Sequence, residues 1–98
     1  MEFVEAHITV EGQKKASPLA YGLLHAELAA SIDISEVTRL VRGEAGIEET
    51  SAWQLAVKVP EPRLAAIVEH IRKKYVDEQI PILTFPVLGE SREYPDWL

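Results

Sequence analysis

Cysteine is absent from the 98 residues. The chain therefore has no disulfide, no thiolate nucleophile and no thiolate metal site, and a cytoplasmic home is the simplest expectation. No apolar run approaches the roughly 18 residues of a membrane span. Met1-Glu2-Phe3-Val4-Glu5 lacks a basic region before an apolar stretch, so no signal peptide is read there. The five glycines are isolated or in turns. They form neither G-x-G-x-x-G nor G-x-x-x-x-G-K-[ST], which leaves nucleotide binding through a phosphate loop without support. Basic residues are outnumbered, 10 Lys and Arg against 16 Asp and Glu, for a net charge of −6. Non-specific binding to DNA or anionic lipid is disfavoured accordingly. What is present is ordinary for a globular chain: 47% hydrophobic and 27% charged residues. Residues 1–98 are expected to form a single domain.

Val4, Ala6, Ile8 and Val10 alternate with Glu5, His7 and Thr9, which predicts a half-buried strand. Ser17-Pro18 reads as a helix cap and first helical position. Leu19, Leu23, Leu24 and Leu28 then give a helical stripe, over about residues 17 to 30. A second strand runs from Ser31 to Arg42. Gly43-Glu44-Ala45-Gly46 reads as a hairpin turn, and a third strand runs from Ile47 to Val59, with Trp53, Leu55, Val57 and Val59 on one face and Ala56 and Lys58 on the other. Pro60-Glu61-Pro62 opens a second helix carrying Leu64, Ile67, Val68 and Ile71. Ile80, Ile82, Leu83, Phe85 and Val87 form a last strand, which Pro81 and Pro86 place at an edge. The tail ends in Tyr94-Pro95-Asp96-Trp97-Leu98, whose aromatics are expected to dock. The order β-α-β-β-α-β predicts an α+β, ferredoxin-like sandwich with an extended hairpin between the second and third strands.

The middle strands are about 12–13 residues each, roughly 40 Å long at ~3.3 Å per residue. Helices of about 14 residues span only roughly 21 Å. The overhang, near Val37 to Glu49, carries Val37, Leu40, Val41 and Ile47. An uncovered two-stranded ribbon is marginal in water, so a homo-oligomer is expected.

Leu28-Ala29-Ala30-Ser31-Ile32-Asp33 resembles the "LAACVN" segment of the CutA-type divalent-cation tolerance proteins. Ile47-Glu48-Glu49 with Val57-Lys58 is similar to that family's "I-x-E…IK" strand, and Phe85-Pro86-Val87, Tyr94 and Trp97 to its "LPV…Y-x-x-W" ending. The resemblance covers nearly the whole chain. It implies a small homotrimer of ferredoxin-like protomers whose long hairpins reach onto neighbours, a role in divalent-cation tolerance with copper binding often proposed, and no well-established enzymatic activity.

The departures bear on the site. The family's Cys is Ser31, and its "H-P-Y-E" reads Tyr75-Val76-Asp77-Glu78, so its His is gone. A hydroxyl is a poor ligand for soft copper, and copper binding is not carried over. Val41, Gly43 and Ala45 replace the family's Y-x-W-x-G pattern.

The three histidines, His7, His25 and His70, lie on different elements without an i,i+4 ligand spacing, and structural or surface roles are expected for each. Adjacent acids face opposite ways on an extended chain, so neither Glu48-Glu49 nor Asp77-Glu78 is a ready carboxylate dyad. Glu49, Asp77 and Glu78 are the best oxygen ligands for a hard divalent cation, provided trimer packing gathers them. No serine sits in a G-x-S-x-G elbow. RNA-binding sandwiches expose aromatics on their central strands, and that signature is missing, so no nucleic-acid partner is expected. Acylphosphatase-like chemistry would want an Arg with an Asn, and the chain has no Asn. The candidate ligand pocket, drawn from the resemblance, lies at a subunit boundary and is lined by Ser31, Lys58, Tyr75, Glu78, Tyr94 and Trp97. The leading reading is thus a CutA-like trimer with a non-enzymatic binding or assembly role. The alternative is a PII-like sensor of a small ligand at the same boundary.

Overall fold

The computed structural model describes residues 2–88. Strand β1 (Phe3–Val10) leads to helix α1 (Gln13–His25), β2 (Ile32–Gly43), β3 (Gly46–Pro60), a 3-10 turn at Glu61–Arg63, α2 (Leu64–Lys74) and β4 (Ile82–Pro86). The sheet order is β2-β3-β1-β4 with every neighbour antiparallel. Both helices lie over one face, which makes the ferredoxin-like α+β sandwich expected from the element order.

The period of two in β1 sorts its side chains. Ala6, Ile8 and Val10 are buried under the helices, while Glu5, His7 and Thr9 face the other way. Pairing of Ala6 with Val57 and Ile8 with Leu55 extends the buried layer onto β3. Leu19 and Leu23 of α1 and Ile67 and Ile71 of α2 close it from above. Each such side chain contributes roughly 1.5–3 kcal/mol by leaving water.

Helix α1 differs from its expected bounds at both ends. It starts at Gln13, with Gly12 rather than Ser17 at the cap position and Pro18 inside the helix. The burial stripe explains this. Ala16, Leu19, Ala20 and Leu23 are all buried, and the i, i+3, i+4, i+7 spacing requires Ala16 to be helical already. Pro18 removes one hydrogen bond, and the carbonyl it leaves is that of the exposed Lys14. At the other end Glu27 adopts φ 58°. The Leu28 amide donates to the Leu23 carbonyl and the Glu27 amide to that of Leu24, both at 3.0 Å, a Schellman closure that stops the helix before the expected residue 30. Glycine usually fills the left-handed position, so nothing in the residue types announced it. Arg63 donates to the Glu27 carbonyl at 3.1 Å and ties the closure to the start of α2.

β2 and β3 form one ladder from Ile32 opposite Val57 to Gly43 opposite Gly46. Gly46 has φ +131°, a conformation side chains resist, and it closes the turn at Glu44-Ala45. The outer half of this ladder is an arm beyond the helices, and it stretches the protein to 48 Å against 30 and 19 Å in the other directions. Leu40 is 68% exposed and Ile47 76%. β4 is an edge strand, as its prolines foretold, and is shorter than the expected span from Ile80 to Val87.

Candidate functional site

Two polar regions stand out. The first lies on the sheet face away from the helices. Antiparallel pairing puts Glu5 opposite Lys58 and, on its other side, Phe85. The Lys58 ammonium is 3.0 Å from one oxygen of Glu5, and His7 contacts the other. The His7 ring also meets Phe85, with centroids 4.9 Å apart and planes tilted by 59°. Contact with His7 holds the Glu5 carboxyl below its ordinary range, with Lys58 assisting and partial burial opposing. Ser31 immediately precedes Ile32, which pairs with Val57, so it belongs to the same end of the sheet as Lys58.

The second region is a cleft of about 730 Å³ where the arm leaves the body. Its walls are the end of β1 (residues 9–11), Lys15 from the first turn of α1, Arg39 and residues 50–52 from the root of the arm, and residues 78–81 after α2. Lys15 and Glu78 form an ion pair across it. The Glu78 contact raises the Lys15 ammonium above its usual value, and Glu11 adds to the same field. Tyr75, half-buried at the end of α2, has its hydroxyl pushed upward first by burial and then by nearby Glu78.

The expected pocket residues therefore divide. Ser31 and Lys58 mark one end of the sheet, while Glu78 lines the cleft and Tyr75 lies near it at the end of α2. Residues 50–52 of the cleft are six or more positions up β3 from Lys58, roughly 20 Å at the strand rise. Within one chain the two halves are separate, and a single pocket uniting them needs a second subunit. Tyr94 and Trp97 lie outside the described residues. The expected cation ligands do not gather in one chain either. Glu49 is opposite Leu40 on the exposed arm, Asp77 is exposed, and Glu78 is engaged by Lys15. Among the described residues no group of three or more His, Cys, Asp or Glu side chains could hold a metal ion.

His25 is exposed and stacks on Tyr21 at 6.4 Å. His70 has a buried Nε2 without a hydrogen-bond partner among the described residues, beside Gly22 on α1. His7 is the histidine whose setting residue types alone missed. Its place on the non-core face of β1 was readable, as was that of Lys58 on β3. The register that brings them to one carboxylate was not. Arg39 and Lys15 carry no local signal of a site in the sequence, and chain folding makes them cleft walls.

A family model described as CutA1 divalent ion tolerance protein matches residues 4–98. The rice chloroplastic protein CutA 1 is 25% identical over 97% of this chain and 54% of its own length. This chain thus spans about half the length of the curated relatives it matches. The solved CutA from Synechococcus elongatus, in complex with Bis-Tris, superposes with a TM-score of 0.83 at 22% identity, covering 99% of this chain and 90% of that one. The Thermus thermophilus divalent cation tolerance protein gives 0.79 at 28% identity, covering 100% and 95%. None of these relatives lends support to the regulator alternative. No helix among the described residues is long and apolar enough to cross a membrane.

Proposed function

The chain belongs to the CutA1 divalent ion tolerance family, and from that premise we propose that it serves divalent-cation tolerance as a homotrimer, by binding and assembly rather than by catalysis. The observation that carries this reading is the arm. Leu40, Val41 and Ile47 leave 68%, 43% and 76% of their surface to water at the far end of a two-stranded ribbon. A ribbon of that kind gains stability when other subunits cover it. In this reading residues 1–98 form one domain, and sister chains bring the halves of the pocket together.

The cation we propose is hard. The chain offers no cysteine, and Ser31 and Tyr75 occupy the positions where the family pattern carries Cys and His. At those positions no soft ligand remains, and the neighbouring carboxylates suit magnesium or manganese better than copper. Glu49, Asp77 and Glu78 are the side chains we assign to it, drawn from more than one subunit. For the compartment we propose the cytoplasm, on the cysteine-free composition; the rice relative is named as chloroplastic, and cell fractionation decides between them.

Calorimetric titration of the assembled protein with magnesium, manganese, zinc and copper is the test. The reading expects heat from a hard cation that is lost in an Asp77→Asn, Glu78→Gln double variant. Silence for all four ions at millimolar concentration removes the metal part.

A further inference from the structure

We propose that residues 89–98 run back along the outer flank of α2 of the same chain, and that the groove there is the docking site for Tyr94 and Trp97. Helix α2 carries more apolar surface than the core takes. Ile67 and Ile71 are buried against the sheet. Leu64, Ala65 and Val68 lie to one side of that stripe, and with Val76, which is 75% exposed, they floor a groove of about 790 Å³. Glu61 borders it at one end and Arg72 toward the other, and it shares no lining residue with the cleft at the root of the arm. The groove faces away from α1. Gly22 of α1 lies against His70 and Lys74, and at roughly 100° per residue Leu64 and Val68 are on the opposite flank. Because α2 joins β3 to β4 across β1, that flank overhangs the β4 edge of the sheet. The sandwich is open there: Thr84 of β4 pairs with the buried Ala6 of β1 and is itself exposed.

Strand β4 releases the chain at the mouth of this groove. The Glu61 amide donates to the Glu2 carbonyl at 2.9 Å and the Val87 amide to the Phe3 carbonyl at 3.0 Å. Two consecutive residues thus hold the first wall of the groove and the exit of β4 at one end of the sheet. From Glu61 to Val76 the groove runs roughly 22 Å at ~1.5 Å per residue. An extended chain from Leu88 to Trp97 spans up to roughly 30 Å, so Trp97 reaches Val76 with slack. Tyr94, Trp97 and Leu98 supply the large apolar side chains the groove lacks. Along the tail Arg92 comes before Asp96, the order that faces Glu61 first and Arg72 later. Docked so, Trp97 stands beside Tyr75 and leaves Ser31 and Lys58 to be brought by a sister chain. That last step rests on the trimer reading; the docking itself does not.

The test uses the absence of native cysteine. The assembled double variant Val76→Cys, Leu98→Cys is oxidised and run on a denaturing, non-reducing gel, with Tyr21→Cys, Leu98→Cys as the control on the other helix. The first pair is expected to lose its free thiols while keeping one chain's mass, and the control to keep them. A second readout follows Trp97 fluorescence in a Trp53→Phe background. Val76→Asp should move the emission to longer wavelength with circular dichroism unchanged, since Val76 is exposed in the absence of the tail. The proposal is overturned if the thiols at 76 and 98 stay free, if the control pair closes as readily, or if Trp97 emission ignores Val76→Asp. A bond joining two chains also overturns it, by placing a sister chain's tail in the groove.

Discussion

Lys58 and Glu5, far apart in sequence, meet at 3.0 Å on the open face of the sheet, and the same carboxylate also receives His7. One half-buried anion thus serves two neighbours on two strands. Removing it by Glu5→Gln should cost about 1 kcal/mol at neutral pH, since hydrogen bonds to charged groups are worth somewhat more than that when fully buried. The sign with pH follows from the direction of the shift. The Glu5 carboxyl is held below its ordinary value of 4.5, so its contribution is complete above that value and fades as pH falls through the lower folded one. Urea unfolding of both proteins should show a gap at pH 7 that closes in acid. A gap that is constant down to pH 3 would mean the ion pairs do not contribute.

Glu27 bears a side chain in the left-handed region, where glycine is favoured. Glu27→Gly should raise stability by about 0.5–1 kcal/mol, the relief of a strained φ being partly offset by the freer unfolded chain. Thermal denaturation checks it, and a lower midpoint would contradict the Schellman account.

Gly22 lies where α1 approaches α2. A Cβ there would stand 3.3 Å from Lys74 Nζ and 3.5 Å from His70 Nε2. The first neighbour is the tip of a flexible chain on an exposed residue and can move aside. The gain in helix propensity, up to about 1 kcal/mol, should therefore dominate in Gly22→Ala. Gly22→Leu, which must displace His70 as well, should destabilise. The same thermal scan distinguishes them, and equal effects would contradict the close approach.

Leu40 and Ile47 are exposed in a single chain and pair with Glu49 and Arg42, so Leu40→Lys with Ile47→Glu, which meets an opposite charge at each position, should leave the protomer's fold intact. If sister subunits cover the arm, the double variant should shift the assembly toward the single chain in sedimentation velocity. An unchanged sedimentation coefficient would place the contact elsewhere.

The architecture was legible because alternation and helical stripes dominate their segments. Val4 to Val10 could bury one face only as a strand, and the paired glycines at 43 and 46 closed the one turn tight enough for a hairpin. The helix ends were less legible. Ser17-Pro18 is a sound start signal by local rules, and the burial of Ala16 overrode it. Glu27 ends α1 through backbone hydrogen bonds that its residue type does not advertise. The candidate site was legible only in part. Glu78 is marked by the resemblance, while its partner Lys15 is not, because an ion pair between residues 63 positions apart depends on where the loops land. Glu5, His7 and Lys58 were each placed on the correct face, and only strand register joins them.

The central claim is that other copies of the chain cover the arm, and the particle's mass tests it most directly. Light scattering coupled to size exclusion at micromolar concentration should give three times the 11.0 kDa of one chain. A stable particle of one chain's mass would contradict the account.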